Sequence, residues 1–440
     1  MKNVLTSLSY LIICIFLFAN NSTAQKKVCG SDAYFAEQMA NDPEMRSNRA
    51  KLDIFTRNFE SNSKDGSSNE IRVIPVYVHV LYKTAEENIS DAQIASQFSV
   101  INDDFSGSNS DISNVPSEFT SVTAYDMQIQ FELISVDRKY VNRTEWGMGD
   151  DMKYSSQGGI DAVTPDTHMN MWICNIGGTT LGFATFPGGN PLIDGLVMCP
   201  QYFGSSDYSN NFYLANGYDK GRTTTHEIGH YLNLWHIWRS DGCGYSDEVD
   251  DTPEANISYG GCPTHPSYSC GSADMFMNYM DYVNDECMFM FSEGQKTRAW
   301  AALNSSRANL GTTISPSGND FLTFNIDGQS SSNINTTDHT VSVLVPTGTN
   351  LADLNATFTA GNATVSGSHT DFSSSVTYDI TAEDGTVQTW TVTVEISNII
   401  FSEDFENDVT ANGWSLYDQD NDGNNWGITS YPTSFWKFLL

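Results

Sequence analysis

The strongest constraint on this chain is the run HEIGHYLNLWH at residues 226–236. Two histidines four residues apart on a helix project from the same face, one turn apart. This spacing lets His226 and His230 bind one zinc ion, with Glu227 between them close enough to act on a water molecule. A third histidine six residues later can join them only if the helix ends and the chain turns. Asn233 stands where that turn needs a positive φ, a position that glycine usually fills and asparagine tolerates next best.

A bare histidine motif also occurs by chance on buried helices, so its surroundings matter. Three threonines at residues 223–225 give this helix a polar start, and His236 falls at the distance that a third ligand requires. Three neutral imidazoles leave the fourth zinc position open, which is typical of a catalytic site. The pattern therefore predicts hydrolysis in which zinc polarises a carbonyl and Glu227 moves a proton from water to the leaving amine.

The first 24 residues predict a secretory signal peptide. Lys2 precedes the apolar run at residues 8–18, and residues 22–24 (STA) form a small-x-small cleavage site. The apolar run is too short to span a membrane and no later segment is long enough, so we expect a secreted protein. The net charge of −33, from 54 acidic and 21 basic residues, argues against nucleic acid and anionic membranes as partners.

The segment after the signal peptide, residues 25–68, is polar with a helical pattern and ends in an exposed linker at 61–68. We interpret it as a pro-segment. Alternating strands and helices then predict an α+β catalytic domain over residues 69–311. The expected strands are residues 71–82, 122–136 and 169–176, and the expected helices are residues 90–105, capped by Ser90 and Gln93, and 293–305, capped by Ser292 and Gln295.

Two β units follow the catalytic domain. Period-two strands joined by a turn at Asp384-Gly385 predict an all-β, immunoglobulin-like sandwich over residues 319–397. Residues 399–440 begin a further β module that is too short for a core of its own and is interpreted as incomplete. Its DQDNDG run at 418–423 offers oxygen ligands for calcium, but Thr429 stands where an EF-hand needs glutamate.

Several separated segments resemble the pappalysin family of metzincin metallopeptidases. Besides the histidine motif, they are residues 74–76 (IPV), 182–187 (GFATFP), 278–282 (NYMDY), 285–288 (DECM) and 291–295 (FSEGQ). The resemblance covers roughly residues 70–310. It implies a metzincin-like catalytic domain with a Met-turn and a zinc-dependent endopeptidase that cleaves proteins or peptides.

The resemblance also assigns roles to single residues. It makes His226, His230 and His236 the zinc ligands and Glu227 the general base and acid. Met280 would form the apolar floor under the metal, although an ordinary core methionine would look the same. Tyr282 would lie beside the metal and steady an oxyanion, or else serve only in packing.

Cysteine usage fits an exported protein. Removing Cys14 with the signal peptide leaves seven cysteines, so at least one thiol stays unpaired. Four cysteines after the zinc helix allow three pairings by sequence alone. The resemblance implies the disulfides Cys243–Cys270 and Cys262–Cys287.

Cys29, in the sequence KVCGS, resembles the cysteine switch of pro-segments in this family. Its thiolate would occupy the fourth zinc position until cleavage of the linker releases the segment, and Gly30 would allow a close approach. The alternative is a disulfide between Cys29 and Cys174 or Cys199.

Two further sites are suggested near the zinc helix. Residues 246–253 (SDEVDDTP) resemble a family calcium loop in which Asp247 and Thr252 match best, or else form a solvated acidic loop. Glu286, near the Met-turn, would favour Arg or Lys after the scissile bond through a charge-assisted hydrogen bond, unless it is a plain surface acid.

Two other classes of function stay open on the sequence alone. One is a secreted adhesin with a structural metal site, against which the intact Glu227 argues, since a structural site needs no base. The other is a zinc amidase that acts on cell-wall peptides. The C-terminal units are similar to adhesin-like modules, which by analogy suggests attachment to a surface or matrix.

Overall fold

The structure is a computed structural model, and it describes residues 29–62, 70–239, 242–314, 318–329, 331–360, 363–382 and 385–396. Several predicted features lie outside these residues. They are the signal peptide, most of the linker, the turn residue Asp384 and the module over 399–440 with its acidic run.

The N-terminal part of the described chain combines five helices with a mixed sheet. The helices are α1 (Ser31–Asn41), α2 (Pro43–Asn62), α3 (Asp91–Ser106), α4 (Arg222–Tyr231) and α5 (Glu293–Leu303). The strands are β1 (Ile71–Tyr82), β2 (Ile129–Tyr140), β3 (Met169–Ile173), β4 (Gly182–Ala184), β5 (Leu196–Met198), the small hairpin β6 (Tyr268–Ser269) and β7 (Ser272–Ala273), and β8 (Thr312–Ile314).

The main sheet has the order β2-β1-β3-β5-β4. Strands β2, β1, β3 and β5 are parallel, whereas β4 lies antiparallel to β5 at the edge. The predicted strand at 71–82 is confirmed as β1, and its β-branched side chains Ile74, Val76, Val78 and Val80 are fully buried. Since α3 and α4 pack together beside this sheet, the zinc-helix motif lies next to the edge strand β4.

Both predicted helices are present with the expected caps, with one difference. Ser292 and Gln295 form a full capping box at α5. At α3 the Ser90 side chain accepts from the Gln93 backbone N–H, but the Gln93 amide donates to Pro200 and Phe203 carbonyls instead. The capping box at α3 is therefore only half formed, because the Gln93 side chain bonds to carbonyl groups of a buried loop and not to the Ser90 N–H.

The strand predicted at 122–136 begins later than expected. Residues 120–122 form a 3-10 turn, and β2 starts only at Ile129. Ala124 and Met127 are buried in irregular chain that packs on the core, so their apolar character reflects burial rather than a strand. Residues 169–176 contain the shorter strand β3, Met169–Ile173.

The C-terminal part of the described chain is all β. Its strands are β9 (Thr323–Ile326), β10 (Ser331–Asn335), β11 (Thr340–Val345), β12 (Ala356–Thr359), β13 (Thr364–Ser366), β14 (Val376–Thr381) and β15 (Val387–Ile396). They form a five-stranded sheet of order β10-β11-β15-β14-β13 and the pair β12-β9. Phe321, Tyr378 and Trp390 are buried together at its core. The immunoglobulin-like likeness and the domain boundaries stay predictions.

Within the described residues, no helix combines the length and the apolar character that crossing a bilayer requires.

Candidate active site

The helix that carries the motif is buried over its whole length. Gly221, with φ of 80°, precedes α4, and the first turn has no side-chain cap of its own. Asp285 replaces that cap from a distant loop, since its Oδ2 accepts the backbone N–H groups of Lys220 (3.0 Å) and Arg222 (3.1 Å). At the other end Asn233 has φ of 76°, which confirms the predicted left-handed turn.

The turn brings the three histidines together. Their Nε2 atoms lie 3.1–3.2 Å from one another. A tetrahedral zinc site with Zn–N bonds of about 2.05 Å requires nitrogens about 3.3 Å apart, so the three ring nitrogens fit the ion closely.

Each imidazole is also oriented from behind. The Nδ1 atom of His226 bonds to the Tyr279 carbonyl at 2.6 Å, and that of His230 bonds to the Leu234 carbonyl at 2.8 Å. His236 Nδ1 lies 2.8 Å from the Asp32 carboxylate. These partners place the proton on Nδ1 and leave the Nε2 lone pair facing the common centre, as a zinc ligand needs. Burial also lowers the pKa of His226 to about 3, which keeps that ring neutral.

Glu227 lies beside this centre and is fully buried. Burial raises the pKa of its carboxyl to about 7, while a hydrogen bond from Ser31 opposes that rise. The Ser31 hydroxyl donates to Glu227 Oε2 at 2.7 Å. A carboxyl with a pKa near neutrality can both accept and return a proton, which is the property that a general base and acid requires.

Met280 lies directly under the zinc helix and is completely buried. A Cβ added at Gly229 would lie only 2.3 Å from the Met280 Sδ, so the glycine within the motif allows this contact. Tyr282 packs its ring against His236 (4.9 Å) and His226 (5.7 Å). Its hydroxyl donates to the Cys29 carbonyl at 3.3 Å, so the predicted site tyrosine borders the histidines.

A buried carboxylate that sequence reasoning missed holds the helix in place. Asp104 on α3 accepts hydrogen bonds from Thr225 Oγ1 (2.6 Å) and Tyr279 Oη (2.8 Å), and it pairs with Arg222 Nε at 3.0 Å. The Tyr279 carbonyl in turn orients His226. Asp104 therefore holds both the start of α4 and the residue that orients one of the three histidines. The only signal in the sequence is that Asp104 is in helical register with Gln97 and Ile101, on the face of α3 that is buried.

The segment predicted to cause latency runs along the edge strand β4. The Gly30 N–H donates to the Gly182 carbonyl (2.8 Å), and the Ala184 N–H donates to the Ser31 hydroxyl (2.8 Å). The Cys29 Sγ and the three histidine nitrogens lie within 4.8 Å of one another and form a cluster able to hold one metal ion. Cys29 carries no disulfide, and neither do Cys174 and Cys199, so the alternative pairing is absent from the structure.

Further contacts dock α1 and α2 on the catalytic part. Tyr34 donates to the Asp150 carboxylate (2.5 Å) and accepts from the buried Lys153 ammonium (3.0 Å). The Arg49 guanidinium donates to Asn233 Oδ1 at 2.6 Å, and Glu60 lies 3.7 Å from Arg298. These long-range partners cannot be recognised from the sequence alone.

The loop after the zinc helix is closed by two disulfides. They are Cys243–Cys270 and Cys262–Cys287, the pairing that the resemblance implies. Within this loop Asp247 is buried, and both of its carboxylate oxygens accept from the Thr252 hydroxyl at 2.8 Å. Asp251 instead accepts from Ser292 Oγ and the Gly294 N–H, and so supports the start of α5.

The acid predicted to set specificity lies elsewhere than expected. Glu286 is exposed and does not line the cavity beside the histidines, whereas its neighbour Asp285 does. The same cavity is bordered by Leu181, Tyr218 and Val283. Asp285 Oδ1 is buried there and has no hydrogen-bond partner among the described residues. The short 3-10 turn Asp285–Cys287 points these two neighbouring carboxylates in different directions, and the role of Glu286 in specificity stays a prediction.

Comparison with known proteins agrees with this geometry. Residues 159–304 match the family described as pregnancy-associated plasma protein-A, and residues 321–394 match that described as SGBP, N-terminal. An extracellular metalloprotease of Uncinocarpus reesii is 30% identical over 286 residues, which are 60% of this chain and 91% of the relative. The chain belongs to the pappalysin family. Another such relative, the extracellular metalloprotease of Arthroderma benhamiae, is 29% identical over 58% of this chain and 88% of its own.

Solved structures extend this likeness to the fold of the pappalysin chain. Mature mirolysin of Tannerella forsythia, in complex with a cleaved peptide, is 36% identical with a TM-score of 0.52, covering 55% of this chain and 96% of that one. A promirolysin mutant from the same organism is 33% identical with a TM-score of 0.57, covering 65% and 97%. This pappalysin is therefore a zinc metalloendopeptidase with a metzincin catalytic domain and a C-terminal all-β part.

Proposed function

We propose that this pappalysin is an exported zinc endopeptidase made as a zymogen, in which the segment around Cys29 blocks the metal site. The observation that carries the proposal is the meeting of three imidazole nitrogens, one thiol and a buried glutamate at the edge strand β4. When bound to His226, His230 and His236, zinc supplies a Lewis acid that polarises the scissile carbonyl and acidifies water.

The chain's own residues perform the remaining steps. The edge strand β4 aligns an extended substrate through backbone hydrogen bonds of the kind that Gly182 now makes to Gly30. Glu227 takes a proton from the attacking water and returns it to the leaving amine. The Tyr282 hydroxyl, which now donates to the Cys29 carbonyl, donates to the substrate oxygen as negative charge develops.

The test of this mechanism is the Glu227→Ala variant, processed to remove the pro-segment. We expect it to retain zinc, because no ligand is lost, and to cleave a reporter peptide at least ~10²-fold more slowly. Zinc content by atomic absorption and kcat/KM are both measured. A matched control is Glu286→Ala, an exposed carboxylate that is not at the histidines. Cleavage by Glu227→Ala at the parent rate would contradict the mechanism.

Latency is proposed to depend on the Cys29 thiolate at the fourth ligand position. The supporting observations are its place beside the three histidines and the absence of a disulfide at Cys29. The unprocessed Cys29→Ala chain should show measurable activity, whereas unprocessed Cys174→Ala, which removes a different buried free thiol, should stay latent. Equal low activity in both variants would refute the switch.

A preference for Arg or Lys after the scissile bond is proposed to rest on Asp285. Its Oδ1 is buried without a partner in the cavity beside Glu227, where it can accept a charge-assisted hydrogen bond. Asp285→Asn should reduce cleavage before Arg relative to cleavage before Leu by about tenfold, while Glu286→Gln should not change that ratio. If neither substitution changes it, the assignment fails.

Calcium is proposed to bind between Asp247 and Thr252. Asp247 is a buried carboxylate, and burial raises its pKa to about 7, so a bound cation would stabilise its charged form. Calcium should raise the unfolding temperature of the parent but not that of Asp247→Asn. An equal shift, or none, in both proteins would exclude this site.

Export and attachment are the remaining proposals. The relatives are described as extracellular metalloproteases, and the first 24 residues have the pattern of a signal peptide. Sequencing the N-terminus of the exported protein tests the cleavage after Ala24. The all-β part is proposed to attach the enzyme to a surface or matrix, and retention of the chain with and without residues 319–440 on producing cells tests that role.

A further inference from the structure

Arg49 of the pro-segment contacts the turn after the zinc helix, and the residues that surround its side chain form a binding pocket. In the zymogen the Arg49 guanidinium is almost fully buried and donates to Asn233 Oδ1 at 2.6 Å. The Arg49 Cζ atom also lies 5.8 Å from the centre of the Phe186 ring and 5.6 Å from that of the Trp235 ring. Asn233, Phe186 and Trp235 together form a pocket for one planar cation, and we call this pocket the cradle.

The cradle belongs to the catalytic part and is held there by its own neighbours. Trp235 stacks on Phe186 at 4.4 Å, and the Arg239 guanidinium carbon lies over the Trp235 ring, 3.6 Å from its centre. Asn233 is fixed by its place between two histidines and by the bond from Arg298 Nε to its carbonyl at 2.9 Å. Removal of the pro-segment takes away Arg49 and also Phe35 and Met45, which pack against Phe186 and Trp235, while the contacts of the cradle with Arg239 and Arg298 remain.

Two donors in the cradle lack partners. Asn233 Nδ2 and Trp235 Nε1 are both buried, and neither has a hydrogen-bond partner in the described part of the chain. Buried donors without acceptors are costly. An incoming peptide has carbonyl oxygens that could satisfy them, which a pro-segment helix, with its carbonyls bonded internally, cannot offer.

The location of the cradle fits an extended substrate. Phe186 lies 5.2 Å from the His230 ring and two residues beyond β4, whereas Leu181, just before β4, borders the cavity that holds Asp285. The cradle and that cavity therefore lie at opposite ends of the edge strand, roughly 15 Å apart at about 3.3 Å per residue. A peptide along β4 would span them with about four residues.

We propose that, once the pro-segment has left, the cradle of Asn233, Phe186 and Trp235 is a substrate subsite for an arginine side chain located two to five residues before the scissile bond. Arg49 then occupies in the zymogen the place of a substrate side chain. Arginine fits better than lysine because its flat guanidinium covers ring faces while bonding to the Asn233 oxygen. The proposal rests on the proposed peptidase function and deepens it.

The charges around the cradle make the expected preference for arginine a moderate one. Asp53, which pairs with Arg49 at 3.3 Å, departs with α2. Arg239 and Arg298 remain and oppose a cation, while the Glu248 carboxylate attracts it. Attraction then comes mainly from the Asn233 oxygen and the two ring faces.

The experiment uses the full chain with its linker cut and the pro-segment removed. Peptide sets carry Arg, Lys or Gln at each of the positions two to five before one fixed cleavage site. At one of these positions we expect kcat/KM for Arg to exceed that for Gln by at least about fivefold, with Lys between them. Equal values at all four positions would overturn the subsite.

Substitutions at Asn233 provide the matched pair. Asn233→Gly keeps a residue suited to φ of 76° and removes the carboxamide, so the Arg-to-Gln ratio should fall toward one. Asn233→Asp keeps the shape and adds a charge, so the ratio should rise. A ratio that is the same in both variants and the parent would refute the role of this side chain.

A binding measurement separates this proposal from the proposed function. The processed Glu227→Ala protein is titrated with the Arg and Gln peptides by calorimetry. Tighter binding of the Arg peptide by at least about fivefold supports the subsite, and equal binding overturns it. Failure of the parent to cleave any peptide would instead count against the peptidase function.

Discussion

Replacing Gly30 by alanine should weaken the latent state without touching the metal site. Gly30 has φ of −92°, so alanine adds no backbone strain. Its new Cβ would lie 2.7 Å from Met148 Cε, 3.2 Å from Phe183 Cβ and 3.2 Å from Thr180 Cγ2. The methionine end can move, but the other two neighbours must each give way by a few tenths of an ångström.

The size of the effect follows from this crowding. Added methyl groups in packed sites cost roughly 1–3 kcal/mol, and the mobile Met148 puts this case at about 1–2 kcal/mol. Since each 1.4 kcal/mol is a factor of ten, the ratio of open to latent zymogen should rise about 5- to 30-fold. The hydrogen bond from the Gly30 N–H to Gly182 opposes full release, so Gly30→Ala should leak less than Cys29→Ala.

The assay measures initial cleavage of a short fluorogenic peptide by the unprocessed chain, with gels to show that the linker stays intact. Gly149→Ala is the matched control, because a Cβ there meets nothing within 4 Å. Gly149→Ala should be as latent as the parent. A Gly30→Ala zymogen that is no more active than Gly149→Ala, while Cys29→Ala is active, would refute the packing argument.

Three further predictions concern the site and its support. Tyr282→Phe, in the processed enzyme, should lower kcat by about 10- to 100-fold with little change in KM, and an unchanged kcat would mean that the ring only packs. Asp104→Asn should lower the free energy of unfolding of the catalytic part by about 3 kcal/mol, since Arg222 loses a buried charged partner. Urea denaturation measures this loss, and an unchanged midpoint would contradict the stabilising role of Asp104. Gly229→Ala should destabilise by about 1 kcal/mol, because crowding of Met280 outweighs the better helix propensity, and a stabilised variant would show that the methionine moves freely.

The sequence predicted the parts of the site that depend on local spacing. The helical spacing of the histidines and the left-handed turn at Asn233 need only the geometry of one helix and its end. The strand β1 and the cap of α5 were predictable for the same reason. Such features are set by neighbours within a few residues, which the sequence displays directly.

What could not be predicted depends on distant partners. Nothing in the sequence places Asp285 at the start of α4, Asp104 at the Tyr279 hydroxyl or Arg49 on Asn233, because each pair is more than 50 residues apart. The position of Glu286 outside the cavity has a related cause. Within a tight turn, adjacent side chains point apart, and only the three-dimensional path tells which one enters the cavity.

The docking of the pro-segment has a consequence for how the enzyme would be released. Its contacts at Cys29, Tyr34, Arg49 and Glu60 all lie before the linker, so a cut in the linker breaks none of them. The cut removes only the tether, which on its own keeps the segment at an effective concentration in the millimolar range. Cleaved enzyme should therefore stay inhibited at high protein concentration and become active on dilution. The onset of proteolysis would then depend on the distance from the producing cell as well as on the protease that cuts the linker.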